Sequence, residues 1–216
     1  MARRKSLAFL DVGQGDCFVA DTKSGAIIFD GGSSSEDQVG RYRILPYMKY
    51  LGYQKIQIAV ISHMDIDHYS GIKELLEMGK IKYLGLPEIP KDETMKKIIG
   101  IAKKRGTTIF YLSRGRQITT KDGSLKVLHP QKNSQMEKNA ASLVMQGKIL
   151  GYRVLLTGDV EKEGEEELLS EELERADILK AAHHGSKNST SNEFLQKVQP
   201  KQTVISCGKQ NRYGHP

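Results

Sequence analysis

The sequence predicts an α/β or α+β fold with helices packed on the outside of its sheets. Two observations carry this. Short apolar runs of strand length alternate with segments whose apolar residues recur every three or four positions. Paired strands come first and strand–helix units follow. In chain order, strands are expected at 6–12 (SLAFLDV), 16–21 (DCFVAD) and 25–30 (GAIIFD), a helix at 38–51, and a strand at 57–62 (QIAVIS). A helix at 68–79 follows, with Ile72, Leu75 and Leu76 on one face, then a strand at 81–86 and a helix at 91–105. Strands at 108–112, 125–129, 141–146 and 153–159, a helix at 161–175, a strand at 177–183, a helix at 189–198 and a strand at 203–208 complete the chain. Turn signals such as DGGSSS (30–35) and KDGS (121–124) separate elements. With no linker or repeat, residues 1–216 are expected to form one domain.

Composition narrows the classes. Hydrophobic content of 38% and charged content of 27% exclude a disordered chain. No apolar run approaches the roughly 18–20 residues of a membrane helix, and MARRKSLAFLD has no signal-peptide pattern, so the chain as given reads as soluble. Cys17 and Cys207 form neither a disulfide framework nor a CxxC zinc motif and read as two buried thiols. A formal charge of +7 suits anionic partners, nucleic acid among them.

Four apolar strands end in ligand-type residues: Asp30 in IIFDGG, the cluster His63, Asp65, Asp67 and His68 in VISHMDIDH, Asp159 in VLLTGD, and His183 and His184 in ILKAAHHGS. Such residues on strand ends converge at a sheet rim, and this number together points to metal. His63 and Asp65 alternate on an extended segment and can face one point. Asp67 and His68 fall at the turn into a helix starting near Tyr69 and can face a second, and Gly71 lets the backbone approach closely. The pattern suits two ions side by side, with Asp159 able to bridge them.

The motif series DVGQGD (11–16), FDGG (29–32), SHMDIDH (62–68), LLTGD (155–159), KAAHHGSKNS (180–189) and NRYGHP (211–216) resembles the metallo-β-lactamase fold superfamily. More narrowly, it resembles the hydrolase domain of the DNA-internalisation competence proteins, the ComEC family. The resemblance covers essentially the whole chain. It implies a four-layer αβ/βα sandwich of two mixed sheets with outer helices and metals at one edge. It also implies that His63 and Asp65 hold one ion and Asp67 and His68 the other, that Asp159 bridges, and that His183 completes the second site. His184 is then left to substrate or proton transfer. Asp30 matches a supporting position, and Asp11 and Asp16 of DVGQGD are assigned the same role.

The chain departs from the superfamily in two places. Asp65 stands where relatives carry His, and the stretch 133–142 lacks a further ligand His; Asn139 and Ser142 are expected to face the metal edge there and contact phosphate. His129 reads as a structural turn. Three imidazoles and three carboxylates form an oxygen-rich donor set, which favours Mn²⁺, with Zn²⁺ or Mg²⁺ possible, and makes the site at His63 and Asp65 the weaker one.

The function implied is a metal-dependent phosphodiester hydrolase, a DNA nuclease of DNA uptake, whose attacking hydroxide is shared by two ions. Asp67 and His184 are its catalytic candidates, with His215 as a further proton donor. Lys180, Lys187, Asn188, Ser189 and the amides of Gly185 and Ser186 form the expected phosphate cradle. Two rival readings are a hydrolase of small molecules such as a phosphorylcholine ester or a β-lactam, and a DNA-binding module without catalysis. NRYGHP stops where related domains continue. The expectation is therefore a domain truncated at its C-terminal end and excised from a membrane protein, beside that protein's channel portion and on the outer face of the membrane.

Overall fold

The computed structural model describes residues 5–136, 138–209, 211 and 213–216. The MARR start, Glu137 of the 133–142 stretch, Gln210 and Arg212 of NRYGHP lie outside the described residues.

Two six-stranded mixed sheets face each other. The first runs in chain order through β1 (Ser6–Phe9), β2 (Phe18–Thr22), β3 (Gly25–Phe29), β4 (Ile56–Val60), β5 (Ile81–Pro87) and β6 (Thr108–Leu112). The first three strands are antiparallel, and β3 to β6 are parallel. The second sheet contains β7 (Gln117–Thr120), β8 (Gly123–His129), β9 (Val144–Ile149), β10 (Tyr152–Leu156), β11 (Ile178–Lys180) and β12 (Gln202–Val204), again as neighbours in chain order. Helices α1 (Leu45–Tyr50), α2 (Ile66–Glu77) and α3 (Glu93–Lys104) accompany the first sheet, and α4 (Lys162–Ser170) and α5 (Asn192–Val198) the second.

Strand alternation sorts side chains into three cores, and three cores separate four layers. Val19, Ile28, Ala59 and Leu84 point outward and pack with Met48, Ile72, Leu76 and Ile98 of the helices. Their neighbours Phe18, Ile27, Phe29 and Val60 point inward against Val127, Met145, Val154 and Leu156 of the second sheet. Val144, Leu155 and Leu179 face Leu168 and Phe194 on the far side. The period of two thus fixes which face each residue serves, and each such aliphatic side chain contributes about 1.5–3 kcal/mol on burial. Two helices start where the sequence supplies a cap: Asp92 accepts from Met95 N–H at 2.6 Å, and Ser191 from Phe194 N–H at 3.1 Å.

Several elements differ from expectation, four of them in ways that bear on the site or the sheets. QITT (117–120) forms an edge strand, β7, that its polarity hid. The expected helix at 38–51 begins as one π-turn, Gly40–Ile44. The expected strand at 141–146 starts only at Val144, after a 3₁₀ turn at Lys138–Ala141. The strand expected to run to His183 stops at Lys180. Both cysteines are unpaired, as expected, although Cys207 is only half-buried. No helix among the described residues is long and apolar enough to cross a membrane.

Candidate metal centre

The ends of β3, β4, β10 and β11 bring the motif residues to one rim. Asp30 follows β3 in a left-handed conformation (φ 56°) and is fully buried. Its Oδ1 accepts from Ser62 N–H at 2.7 Å, and its Oδ2 lies 3.0 Å from His68 Nδ1. One carboxylate therefore ties the end of β4 to the start of α2. Asp65 is the extended residue before α2, which begins at Ile66, earlier than expected, so Asp67 and His68 lie on its first turn.

Backbone packs on backbone beneath this loop. Asp16 N–H donates to Asp67 O at 3.1 Å, Gly31 N–H to His68 O at 2.9 Å, and Gly32 N–H to Asp16 O at 3.1 Å. A methyl group on Gly32 would stand 2.6 Å from both Asp67 C and His68 N, and one on Gly15 would stand 2.2 Å from Gly32 O. DVGQGD and FDGG carry glycine at these positions because no side chain fits between the segments.

Three imidazoles converge from here. His68 Nε2 lies 3.1 Å from Asp159 Oδ2, and His184 Nε2 lies 3.4 Å from the same oxygen and 3.5 Å from Asp67 Oδ2. His63 lies tilted against His68, ring centroids 4.2 Å apart, with its Nε2 3.7 Å from Asp65 Oδ2. All three Nε2 atoms are buried and make no hydrogen bond. Their Nδ1 atoms are engaged: His68 on Asp30, His184 donating to Ser206 O at 2.8 Å, and His63 on Ser62 Oγ at 3.0 Å. For His68 and His184 this fixes the tautomer that leaves Nε2 as a bare donor, the arrangement of metal-ligating histidines. Donors about 2.1 Å from one ion at a tetrahedral angle lie ~3.4 Å apart, which the separations around Asp159 Oδ2 match. Asp16, His68, Asp159 and His184 each present a donor atom within 4.8 Å of the others. These residues fit a divalent ion.

The electrostatics agree. Burial disfavours charge on His68, but Asp159 and Asp30 outweigh it and hold its pKa well above the ordinary histidine value. His184 is likewise raised: burial opposes it, and Asp67 and Asp159 prevail. Burial of Asp159 is overcome by His68 and Lys180, which hold its carboxyl well below the usual range. Asp67 is lowered by His184 and His68 against the cost of burial. Asp65 is lowered by its contact with His63, although burial works against it.

Several expected residues stand elsewhere. His184, in the place expected of His183, joins the cluster. The 3₁₀ turn Ala182–Gly185 places both histidines at positive φ (47° and 54°) and turns the chain off its strand line. His183 is carried out of the cluster to a half-buried position, its Nδ1 2.7 Å from Glu161 Oε1. Lys180 is buried: it is ion-paired with Asp16, its Nζ donates to Gly158 O at 3.0 Å, and it lies 3.5 Å from Asp159 Oδ1. Burial opposes its charge, yet Asp16 and Asp159 raise its pKa above the ordinary lysine value.

The expected phosphate cradle turns away from the metal edge. Ser189 Oγ donates to Ala182 O and Ser186 O, Ser186 Oγ accepts from Asn188 N–H, Gly185 packs near Ile205 and Pro216, and Lys187 lines a separate hollow beside Glu161 and Glu165. Ser142 is wholly buried and accepts from Asp159 N–H at 3.3 Å, so it supports the carboxylate's backbone. Asn139 sits in the 3₁₀ turn with a buried, unpartnered Oδ1 and does not line the cleft. Asp11 is exposed and its Oδ1 accepts from Gly13 N–H at 3.1 Å, which shapes the turn of DVGQGD. His129 is buried against Ala140 O at 2.7 Å, away from the centre.

The open side of the centre is a cleft of about 280 Å³. Asp65, Asp67, Asp159, His183, His184 and His215 line it, with Gln14, Ser34, Ile66 and Tyr213 at its margins. Gln14, Tyr213 and Glu161 were not singled out from sequence. Each lies within or beside a motif that was, but none is a metal-ligand type on a strand end. Glu165, whose carboxylate accepts from Thr190 N–H at 2.7 Å and Ser191 N–H at 2.9 Å and so anchors the HHGSKNS loop, escaped notice within a run of surface-type glutamates.

Comparison with known proteins agrees with the geometry. Residues 10–209 match the metallo-beta-lactamase superfamily. The chain is 37% identical to ComE operon protein 3 of Bacillus subtilis over 96% of its own length, and 30% identical to competence protein ComA of Neisseria gonorrhoeae over 95%. These relatives are competence proteins of the ComEC family, and the chain spans 29% and 27% of their lengths. Among solved structures, the metallo-beta-lactamase fold protein YhfI of Bacillus subtilis superposes with a TM-score of 0.61 at 15% identity, over 92% of this chain and 80% of that one. Human tRNase Z, short form, gives 0.57 at 15% identity, over 97% and 94%. Proteins of this fold typically bind divalent metals, often two, and are usually metal-dependent hydrolases. Fold, motif order and the convergence of donors at the sheet rim lead to one conclusion: the chain belongs to the metallo-beta-lactamase superfamily.

Proposed function

We propose that the chain is a metal-dependent phosphodiester hydrolase acting on DNA. His68, His184, Asp67 and Asp159 would hold one divalent ion, and His63 and Asp65 would contribute to a second, weaker one. The observation that carries this reading is the meeting of two bare imidazole nitrogens with Asp159 Oδ2 and Asp67 Oδ2 on the floor of an open cleft. The balance of three imidazoles and three carboxylates favours Mn²⁺ over Zn²⁺. Divalent ions held there supply Lewis acidity at a phosphoryl oxygen and acidify water.

The chain's own residues do the rest. Lys180 holds Asp159 Oδ1 and so turns Oδ2 towards the imidazoles. Asp30 and Ser206 O orient His68 and His184. His183, contacting Glu161 through Nδ1, stands in the cleft wall with Nε2 left to protonate a leaving oxygen, and His215 lies beside it at 5.8 Å between ring centroids. This reverses the roles expected of the two neighbouring histidines.

DNA as substrate is supported by the relatives, which are competence proteins, and agrees with the charge of +7. We propose further that the chain is one part of a longer membrane protein of DNA uptake, working beside its channel portion at the outer face; that it spans 29% and 27% of the relatives' lengths supports its being part of a longer chain. The test is turnover of single- and double-stranded DNA, bis-p-nitrophenyl phosphate and a β-lactam, with Mn²⁺ and with chelator. Mn²⁺-dependent cleavage of DNA, abolished by Asp67→Ala, is expected. Cleavage of the small phosphodiester alone would return the chain to a small-molecule esterase, and DNA binding that survives chelation without product would make it a binding module.

A further inference from the structure

The cleft over the metal centre continues past its margin. Gln14, Ser34 and Tyr213 also wall a second hollow of about 420 Å³, closed on its other side by Ser35, Lys209 and Asn211. The ring that divides the two hollows, Tyr213, is 66% exposed. It lies nearly parallel to the His215 imidazole, with centroids 5.5 Å apart and planes at 24°.

Core packing does not bury this ring, but the backbone that carries it is held by hydrogen bonds. Asn211 Oδ1 accepts from the N–H groups of both Tyr213 and His215 at 3.1 Å, and its Nδ2 donates to Gly208 O and His215 O at 3.3 Å. Gly208 N–H donates to Gln14 Oε1 at 2.9 Å, and Ser206 Oγ to Gly15 O at 2.6 Å. The turn carrying Tyr213 is thereby fastened to the DVGQGD loop, and an aromatic face is left in water. Across the cleft stands a second exposed apolar side chain, Ile66 (54%), between Asp65 and Asp67.

We propose that Tyr213 is a stacking platform for an unpaired nucleobase, and that the second hollow takes the nucleotide next to the phosphodiester at the metal centre. This rests on the phosphodiesterase reading above. A phosphodiester in the first hollow carries a nucleoside on each side, and the adjoining hollow receives one of them. Polar groups of Gln14, Ser34, Ser35 and Asn211 line its walls, and the exposed Lys209 faces the next phosphate. Bases inside a duplex have both faces covered by their neighbours. Only a base in a single strand or at an opened end can lie on Tyr213.

The test is a short single-stranded oligonucleotide carrying one abasic position, moved stepwise along the strand, with the wild-type chain, Tyr213→Ala and Tyr213→Phe. Stacking on an aromatic side chain is worth ~1–3 kcal/mol per base, so one abasic position should cost the wild type and Tyr213→Phe roughly 5- to 150-fold in kcat/KM. Tyr213→Ala should lose a similar factor on the intact strand and nothing further from the abasic change, because the two removals delete the same contact. An abasic penalty that persists in Tyr213→Ala overturns the platform and leaves the phosphodiesterase reading standing. Failure of the wild type to cut or bind any oligonucleotide while it cleaves bis-p-nitrophenyl phosphate overturns the DNA reading, and the platform with it.

Discussion

The two oxygens of Asp159 face different partners: Oδ1 lies 3.5 Å from the buried Lys180 ammonium, and Oδ2 lies 3.1 and 3.4 Å from the imidazoles of His68 and His184. Lys180 also pairs with Asp16, so it matches two carboxylates that would otherwise share a dry pocket. Removing one partner of a buried pair costs about 3–5 kcal/mol, and in a chain of this size each kcal/mol moves Tm by about 2–4 °C. Lys180→Met should therefore lower the metal-free Tm by roughly 6–20 °C. Added Mn²⁺ should restore more of it than in the wild type, because the ion then relieves the carboxylates. Scanning calorimetry with and without Mn²⁺ checks this; an unchanged metal-free Tm would contradict it.

Metal affinity should fall as pH falls. His68 and His184 both have raised pKa values in the metal-free chain, through Asp159 and Asp30 for the first and Asp67 and Asp159 for the second, each against burial. An ion must displace those protons. Below the raised values each protonated imidazole costs up to about tenfold in affinity per pH unit, so two cost up to about a hundredfold. Asp67 and Asp159 are depressed and stay ionised above about pH 4, so they add no dependence there. Calorimetric titration between pH 6 and 8, in buffers of different ionisation enthalpy, should show weaker binding and more proton release at low pH. A flat affinity would contradict the assignment of these two ligands.

Asp30→Asn should weaken Mn²⁺ binding by about 10- to 100-fold, the usual effect of losing a carboxylate behind a ligating histidine. Asp30 holds His68 Nδ1 and Ser62 N–H together. Isothermal titration of the variant measures the change, and unaltered binding would show that His68 needs no such partner.

Gly32→Ala should fail where most exposed substitutions do not. Its methyl group would lie 2.6 Å from three atoms of the Ile66–His68 backbone, none of which can swing aside. Overpacking of this kind costs ~1–3 kcal/mol or more and would also pull Asp67 and His68 out of place. Chemical denaturation and Mn²⁺ titration should both register the loss, whereas the same change at Gly100, which would meet nothing within 4 Å, should leave Mn²⁺ binding intact.

Most of the fold was legible because its cores obey simple periods. Ile27 and Ile28, or Leu155 and Leu156, part to opposite faces as alternation requires. QITT escaped because an edge strand needs little apolar surface. At the site, residue types and motif order were legible: His63, Asp65, Asp67, His68 and Asp159 meet at one rim. Their neighbours were harder to assign. DILKAAHH reads as a continuous strand, and nothing in its composition announces two consecutive residues at positive φ, the turn that exchanges His183 for His184. Lys180 looked like a phosphate ligand because sequence shows charge but not burial; only the folded chain sets it against Asp16 and Asp159. The approach of Asp16 to His68 and His184 was not legible either, because it depends on loops packed at glycine contact distance.

In the proposed site His184, and not His183, joins His68, Asp67 and Asp159 at the ion. Equilibrium dialysis against Mn²⁺, with bound metal counted for the wild type, His183→Ala and His184→Ala, distinguishes the two histidines. His184→Ala should lose at least ~100-fold in affinity at the stronger site, whereas His183→Ala should bind like the wild type and lose turnover. Retention of the ion by His184→Ala together with its loss from His183→Ala would overturn this ligand set.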